Sequence, residues 1–267
     1  MKKRIISGLI MAPLLIVIFL GGIVLKAFAF IVSILALMEF FNIHKKDDIR
    51  ASLPIAIGSA VFLYALNMLG VEPVYYMLWL VVSVAACLLY MFRVDERLTE
   101  DATLTITGIV YIVFFLFHLA WMADFEGYEI FVWMVIITAF VTDIAAFFSG
   151  YFFGKYHIFG DKKLCPKISP KKTREGAVGG VLFCGLFSLA FGLIFTDGMW
   201  LHCLIMGILG SAAAQFGDLT ASIFKRKVGV KDYGHLIPGH GGVMDRIDSI
   251  LFTAPVVCWY MMIFVVK

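Results

Sequence analysis

The chain has 267 residues, 62% of them apolar and 15% charged, with a net charge of +3 and a mean hydropathy of +0.96. Ordinary soluble domains carry about 45–50% apolar and about 25% charged residues, and a chain of this length cannot hide such an excess from water. A soluble enzyme, a disordered chain and a nucleic-acid-binding domain are thereby excluded, and the surplus must face lipid.

Nine apolar stretches follow one another, at 5–25, 27–43, 53–70, 74–92, 102–122, 130–153, 177–196, 199–217 and 247–266. Each approaches the length needed to cross a hydrocarbon core of about 30 Å. The expected fold is all-α: a multi-pass integral membrane helical bundle of about nine transmembrane helices. The first run exceeds the apolar core of a signal peptide and lacks a clear cleavage site, so it is expected to remain as a span. Two regions are expected. Residues 1–125 hold spans 1–5, and residues 126–267 hold spans 6–9 with the polar loops 154–176 and 218–246. If the amino terminus shares one side with the loops after spans 2, 4, 6 and 8, that side carries 20 of the 22 basic residues, with only Lys26 and Lys267 opposite. The positive-inside rule makes it cytoplasmic, in the cell's inner membrane.

Spans 1–5 contain little chemistry. Glu39, near the cytoplasmic end of span 2, is expected to pair with Lys45 or Arg50, and His118 and Trp121 to sit at the membrane interface. These helices are expected to shape a lipid entrance or a homodimer contact. Four of the five cysteines lie inside spans and none forms a CxxC pair, so they are expected to pack as small hydrophobes.

Span 6 carries Asp143 within TAFVTDIAAFFSGYFFGK. A carboxylate in an apolar helix is costly, which makes it a functional candidate. The following loop runs Lys167-Ile-Ser169-Pro170-Lys171-Lys172-Thr173-Arg174-Glu175-Gly176 into Gly179-Gly180. Its turn leads into a helix start whose amides and dipole favour anions, and Lys171, Lys172 and Thr173 add donors suited to a triphosphate.

The densest chemistry lies at 218–248, DLTASIFKRKVGVKDYGHLIPGHGGVMDRID. Span 8 ends in Gly210, Ser211, Ala212, Ala213 and Ala214, which permit close helix packing. A continued helix places Asp218, Ser222 and Lys225 on one face. Pro238 to Gly242 interrupt regular structure, and Asp245 and Asp248 then share one face of the last helix, with Arg246 between them. Carboxylates on neighbouring helices suit Mg²⁺, and flanking Lys and Arg suit phosphates.

The stretch from Ser222 to Asp248 resembles the signature of the phosphatidate cytidylyltransferases, or CDP-diacylglycerol synthases. The resemblance is carried by Ser222, Lys225-Arg226, Lys231-Asp232, His240-Gly241-Gly242, Asp245-Arg246 and Asp248. SPKKT followed by EG, and the Asp143 segment, are similar to further segments of that family. The resemblance implies a membrane enzyme that joins CTP to phosphatidate, releasing CDP-diacylglycerol and pyrophosphate, with Mg²⁺ as cofactor and a second metal or monovalent cation left open. On that reading Asp218, Asp245 and Lys225 are catalytic. Metal ligands come from Asp218, Asp245, Asp248 and Asp143. CTP is held by Ser169, Lys171, Lys172, Thr173, Glu175 and Gly176. Phosphate and lipid head group are held by Ser222, Arg226, Lys231, His240, Gly241, Gly242 and Arg246. A phosphate monoester with a second pKa near 6 is already largely dianionic at neutral pH, so no side-chain base is expected. A CTP-dependent polyprenol kinase and a membrane transporter are the competing readings; the first differs in product, and the second calls for polar residues through the membrane midplane.

Overall fold

In a computed structural model of the protein, residues 16–45, 48–92, 96–156, 158–160, 163–236, 239 and 241–266 are described, and among them the fold is helical without strands. Its helices are α1 (Gly22–His44), α2 (Leu53–Met68), α3 (Val74–Tyr90), α4 (Thr99–Gly108), α5 (Phe115–Met122), α6 (Val132–Phe153), α7 (Arg174–Phe195), α8 (Trp200–Lys227) and α9 (Met244–Phe264). A π-helical stretch, Ile109–Phe114, joins α4 to α5 into one rod. Six of the described helical segments are long and apolar enough to cross a membrane: Gly22–His44, Thr99–Met122, Glu129–Tyr156, Arg174–Phe195, Trp200–Lys227 and Met244–Phe264. The chain is a membrane protein. The expected count of nine is not reached among these residues, because α2 and α3 have only 16 and 17 residues and most of the stretch 5–25 lies outside the described residues.

The boundary between the first two expected spans also moves. The helix breaks at Gly21 and Gly22, whose φ angles of 56° and 47° suit glycine, so Lys26 lies one turn inside α1 rather than in a loop. Its ammonium forms an ion pair with Asp124, just beyond α5.

The chain divides into two compact units, one combining residues up to Asp124 with Lys227–Arg246, the other combining Phe125–Arg226 with Ile247–Lys267. In the first unit the helices run in antiparallel succession. Asp124, already paired with Lys26 of α1, accepts a 2.7 Å bond from Asn67 of α2, which also donates to Tyr76 of α3. At the opposite end Asp101 of α4 accepts from the Arg50 amide at 2.6 Å, and Thr105 from the Ser52 amide at 2.9 Å. The core between is aromatic: Trp79, Phe40 and Phe117 are fully buried. His118 is buried as well, its Nδ1 2.8 Å from the Phe114 carbonyl, so it is part of this core.

The second unit is assembled through small residues. Lipid gives apolar helices no hydrophobic reason to associate, so close backbone approach and interhelical hydrogen bonds must do so. A Cβ on Gly179 of α7 would overlap the Ser149 hydroxyl of α6, and one on Gly207 of α8 would overlap that of Ser188 of α7. Gly210 faces Thr138 across 2.7 Å of hypothetical Cβ contact, and the Thr142 hydroxyl donates to Ser211 at 2.7 Å.

Candidate active site

Three helices of the second unit bring carboxylates into one electrostatic neighbourhood. Asp248 in the first turns of α9 lies within reach of Asp218 and Lys225 of α8 and of Asp143 of α6. The approach of α8 to α9 depends on Gly217, where a Cβ would overlap the Asp248 carbonyl. The helix does not end with the apolar span at residue 217. The helix runs on to Lys227, which carries Asp218, Ser222, Lys225 and Arg226 on continuous helical turns. Lys225 is buried, 8% exposed. Asp218 forms an ion pair with Lys172, from the loop before α7.

That loop is tied to its surroundings residue by residue. Cys165 and Ser169 form an isolated bridge, with the Ser169 amide donating to the Cys165 carbonyl at 2.9 Å. Thr173 caps α7, its hydroxyl accepting from the Gly176 amide at 3.0 Å, which satisfies one of the orphan donors of a helix start. Gly150 and Gly176 make room: added Cβ atoms would stand 2.8 Å from the Thr173 hydroxyl and 2.7 Å from the Ala146 carbonyl. Glu175, buried, accepts from the Phe159 amide at 3.2 Å, while Arg174 donates to the Phe159 carbonyl at 3.1 Å. Of the residues expected to hold CTP, Lys172 thus stands at Asp218, Thr173, Glu175 and Gly176 build the helix start, and Lys171 is exposed.

The remaining candidates lie on the segment Lys227–Arg246 of the first unit. Asp245, 7% exposed, turns its Oδ2 back onto the preceding loop, accepting from the Tyr233 amide at 2.8 Å and the Gly242 amide at 3.0 Å. Gly241 takes φ 83°, and a Cβ there would stand 2.8 Å from the same oxygen. Lys231 and Arg246 are exposed. His240 lies outside the described residues.

Glu39 of α1 is the residue that sequence reasoning placed wrongly. Instead of meeting Lys45 or Arg50, its Oε2 accepts from the Met244 amide at 2.8 Å, and Lys45 donates to Asn42. The signal was available, since a carboxylate inside an apolar helix is as costly at Glu39 as at Asp143.

The donor chemistry of Asp143, Asp218 and Asp248, all carboxylate oxygens with Lys225 beside them, fits a hard divalent cation such as Mg²⁺. Among the described residues, no three acidic, histidine or cysteine side chains converge closely enough to grip an ion as they stand.

Residues 2–264 match the cytidylyltransferase family. The chain is 33% identical over 257 residues to a phosphatidate cytidylyltransferase of Staphylococcus haemolyticus, covering 94% of each protein. It is likewise 33% identical over 262 residues to one from Staphylococcus aureus strain COL, covering 96% of each. An uncharacterized Escherichia coli protein, YnbB, is 39% identical over 158 residues, which span 57% of this chain and 51% of YnbB.

Proposed function

The chain belongs to the cytidylyltransferase family, and from that premise we propose that it transfers CMP from CTP to phosphatidate, forming CDP-diacylglycerol and pyrophosphate. The observation that carries this reading is the near full-length likeness to proteins named phosphatidate cytidylyltransferase, joined to a carboxylate and lysine cluster beside a basic loop.

The chemistry is a displacement at phosphorus. A phosphate oxygen of phosphatidate bonds to the α-phosphorus of CTP, the bond to the bridging oxygen of the β-phosphate breaks, and pyrophosphate leaves with that electron pair. Because the nucleophile is already dianionic near neutral pH, no side chain has to remove a proton. The obstacle is repulsion between two polyanions. Mg²⁺, when bound, neutralises phosphate charge, and Asp143, Asp218, Asp245 and Asp248 are the residues that would hold it. Lys225, buried on α8, supplies a desolvated positive charge that strengthens as the transferring oxygens gain charge. Lys172 exchanges Asp218 for the triphosphate, and Ser169, Lys171 and the capped start of α7 complete the CTP site with Thr173, Glu175 and Gly176. Ser222, Arg226, Lys231, Arg246 and the His240-Gly241-Gly242 turn hold the phosphates of the lipid and the nucleotide. The site opens to the cytoplasmic side of the inner membrane, and the protein works as a homodimer without a nucleic-acid partner.

The test uses purified protein in detergent with labelled CTP, phosphatidate and Mg²⁺. CDP-diacylglycerol and pyrophosphate are the expected products. Their absence from protein with an intact melting transition overturns the reading, and nucleoside diphosphate released in the presence of a polyprenol assigns a kinase instead.

A further inference from the structure

Glu39 stands outside the machinery assigned above, yet its carboxylate touches the loop that carries much of it. Its Oε2 accepts the amide of Met244, the first residue of α9, at 2.8 Å across 205 positions of sequence. A Cβ on Gly234 would stand 2.5 Å from Oε1, and one on Gly242 would overlap Oε2 and stand 2.6 Å from Oε1. The carboxylate is therefore seated against both limbs of the loop, where only glycine leaves room. Its neighbour Phe40 packs its ring 6.2 Å from that of Tyr233, which is 4% exposed, so two successive residues of α1 dock the same loop. Asp245 meanwhile grips the loop from within, through the Tyr233 and Gly242 amides. The first-turn amides of a helix have no intrahelical acceptor and carry the positive end of its dipole. Glu39 satisfies one of them for α9, from another helix.

We propose that Glu39 is a positioning residue, a carboxylate of α1 that fixes the loop at Gly234, at Gly242 and at Met244, and through them the aim of Asp245 and of the Gly241-Gly242 turn. The proposal takes the cytidylyltransfer reading as its premise for what that loop does. Glu39 itself meets neither substrate nor reacting atoms. Its contribution is geometric, and misplacement of about 1 Å at a reacting centre costs on the order of a hundredfold in rate.

The experiment compares Glu39→Ala, Glu39→Gln and Gly234→Ala with the parent protein in detergent, by hydrogen–deuterium exchange without substrate and by kinetics with CTP and phosphatidate. In Glu39→Ala the amides of 233–245 should exchange faster while those of α6 and α7 do not, and kcat per folded molecule should fall on the order of tenfold or more. Glu39→Gln keeps an oxygen acceptor for the Met244 amide and should recover much of the protection and of kcat. Gly234→Ala should loosen the same segment, and the Glu39→Ala, Gly234→Ala double variant should be no worse than either single variant, because removing the carboxylate removes the clash. Unchanged exchange at 233–245 in Glu39→Ala, additive losses in the double variant, or full kcat per folded molecule overturns the proposal. If Glu39→Ala does not fold, Gly234→Ala decides it: faster exchange at 233–245 supports the proposal and unchanged exchange there overturns it. Parent protein that makes no CDP-diacylglycerol refutes the function proposed above, and the exchange measurements still judge Glu39.

Discussion

Asp218 and Asp245 carry the same functional group and make different demands on the fold. Asp218 is half-exposed and paired with Lys172, and pairs of that kind contribute about 0–1 kcal/mol to stability. Asp218→Asn is therefore expected to leave the melting temperature in detergent nearly unchanged while lowering turnover at least about a hundredfold, as loss of charge stabilisation in a transition state does. Near-normal CDP-diacylglycerol formation by that variant removes Asp218 from the site. Asp245 is buried with two amides on one oxygen, so Asp245→Ala should cost about 1–3 kcal/mol of stability as well as activity, since it orphans both donors. His240, the one histidine among the residues that carry the resemblance, tests the claim that no side-chain base acts. Rate should fall as pH drops through about 6, where the lipid phosphate takes up its second proton and loses nucleophilicity. His240→Gln should keep that acidic limb and lose only modestly in rate. If the limb vanishes in a folded His240→Gln protein, the histidine is a base. The types of these residues were legible in the chain, because acids, lysines and a glycine turn clustered beside apolar helices announce phosphate chemistry. Their partners were not, since nothing in the order of residues states that Lys172 meets Asp218.

At the scale of elements, the seam between α6 and α7 sets the position of the loop before α7. Ser149 is buried on α6 where Gly179 of α7 leaves space for it, with adjacent Gly150 at Thr173 and Gly176, one turn before Gly179, at Ala146. Gly179→Ala drives a methyl group into the Ser149 side chain and should lower stability by roughly 1–3 kcal/mol, the usual cost of overpacking. Ser149→Gly in the same chain should restore most of it. Thermal unfolding in detergent reads both effects, and an unchanged transition in Gly179→Ala means the seam is looser than its geometry. The spaced glycines at 150, 154, 176, 179 and 180 are visible in the sequence and imply close helix approach. Which helix approaches which is a three-dimensional matter. Helix ends were the less legible feature. The chain turns polar after residue 217, but backbone hydrogen bonding carries α8 a further ten residues, to Lys227.

For the whole molecule, the distribution of basic residues makes a sided prediction. Four cysteines are buried, and Cys165, in the loop before α7, is half-buried. On the positive-inside rule that basic loop is expected on the cytoplasmic side, so a membrane-impermeant thiol reagent should label Cys165 in inverted membrane vesicles and leave it unlabelled in right-side-out ones. The opposite pattern reverses the orientation, and Cys165→Ser identifies the labelled site. The pairing of Lys26 with Asp124 and of Asn67 with the same carboxylate at one end of the first unit, against Arg50 and Ser52 with α4 at the other, follows the same alternation of helix directions.

Amino-acid order alone dictated the membrane setting, the all-helical class and the types of groups that do the chemistry. Each of these rests on local properties: apolar run length, absence of paired strands' alternation, and the charge a residue carries wherever it is placed. Tertiary structure decided what no local property encodes. It drew His118 into an aromatic core and set Lys172 on Asp218. It also brought Glu39 to the amide of Met244. A carboxylate in an apolar helix must find donors to offset its desolvation, but the donors nearest in sequence are not the nearest in space once the chain has folded back on itself.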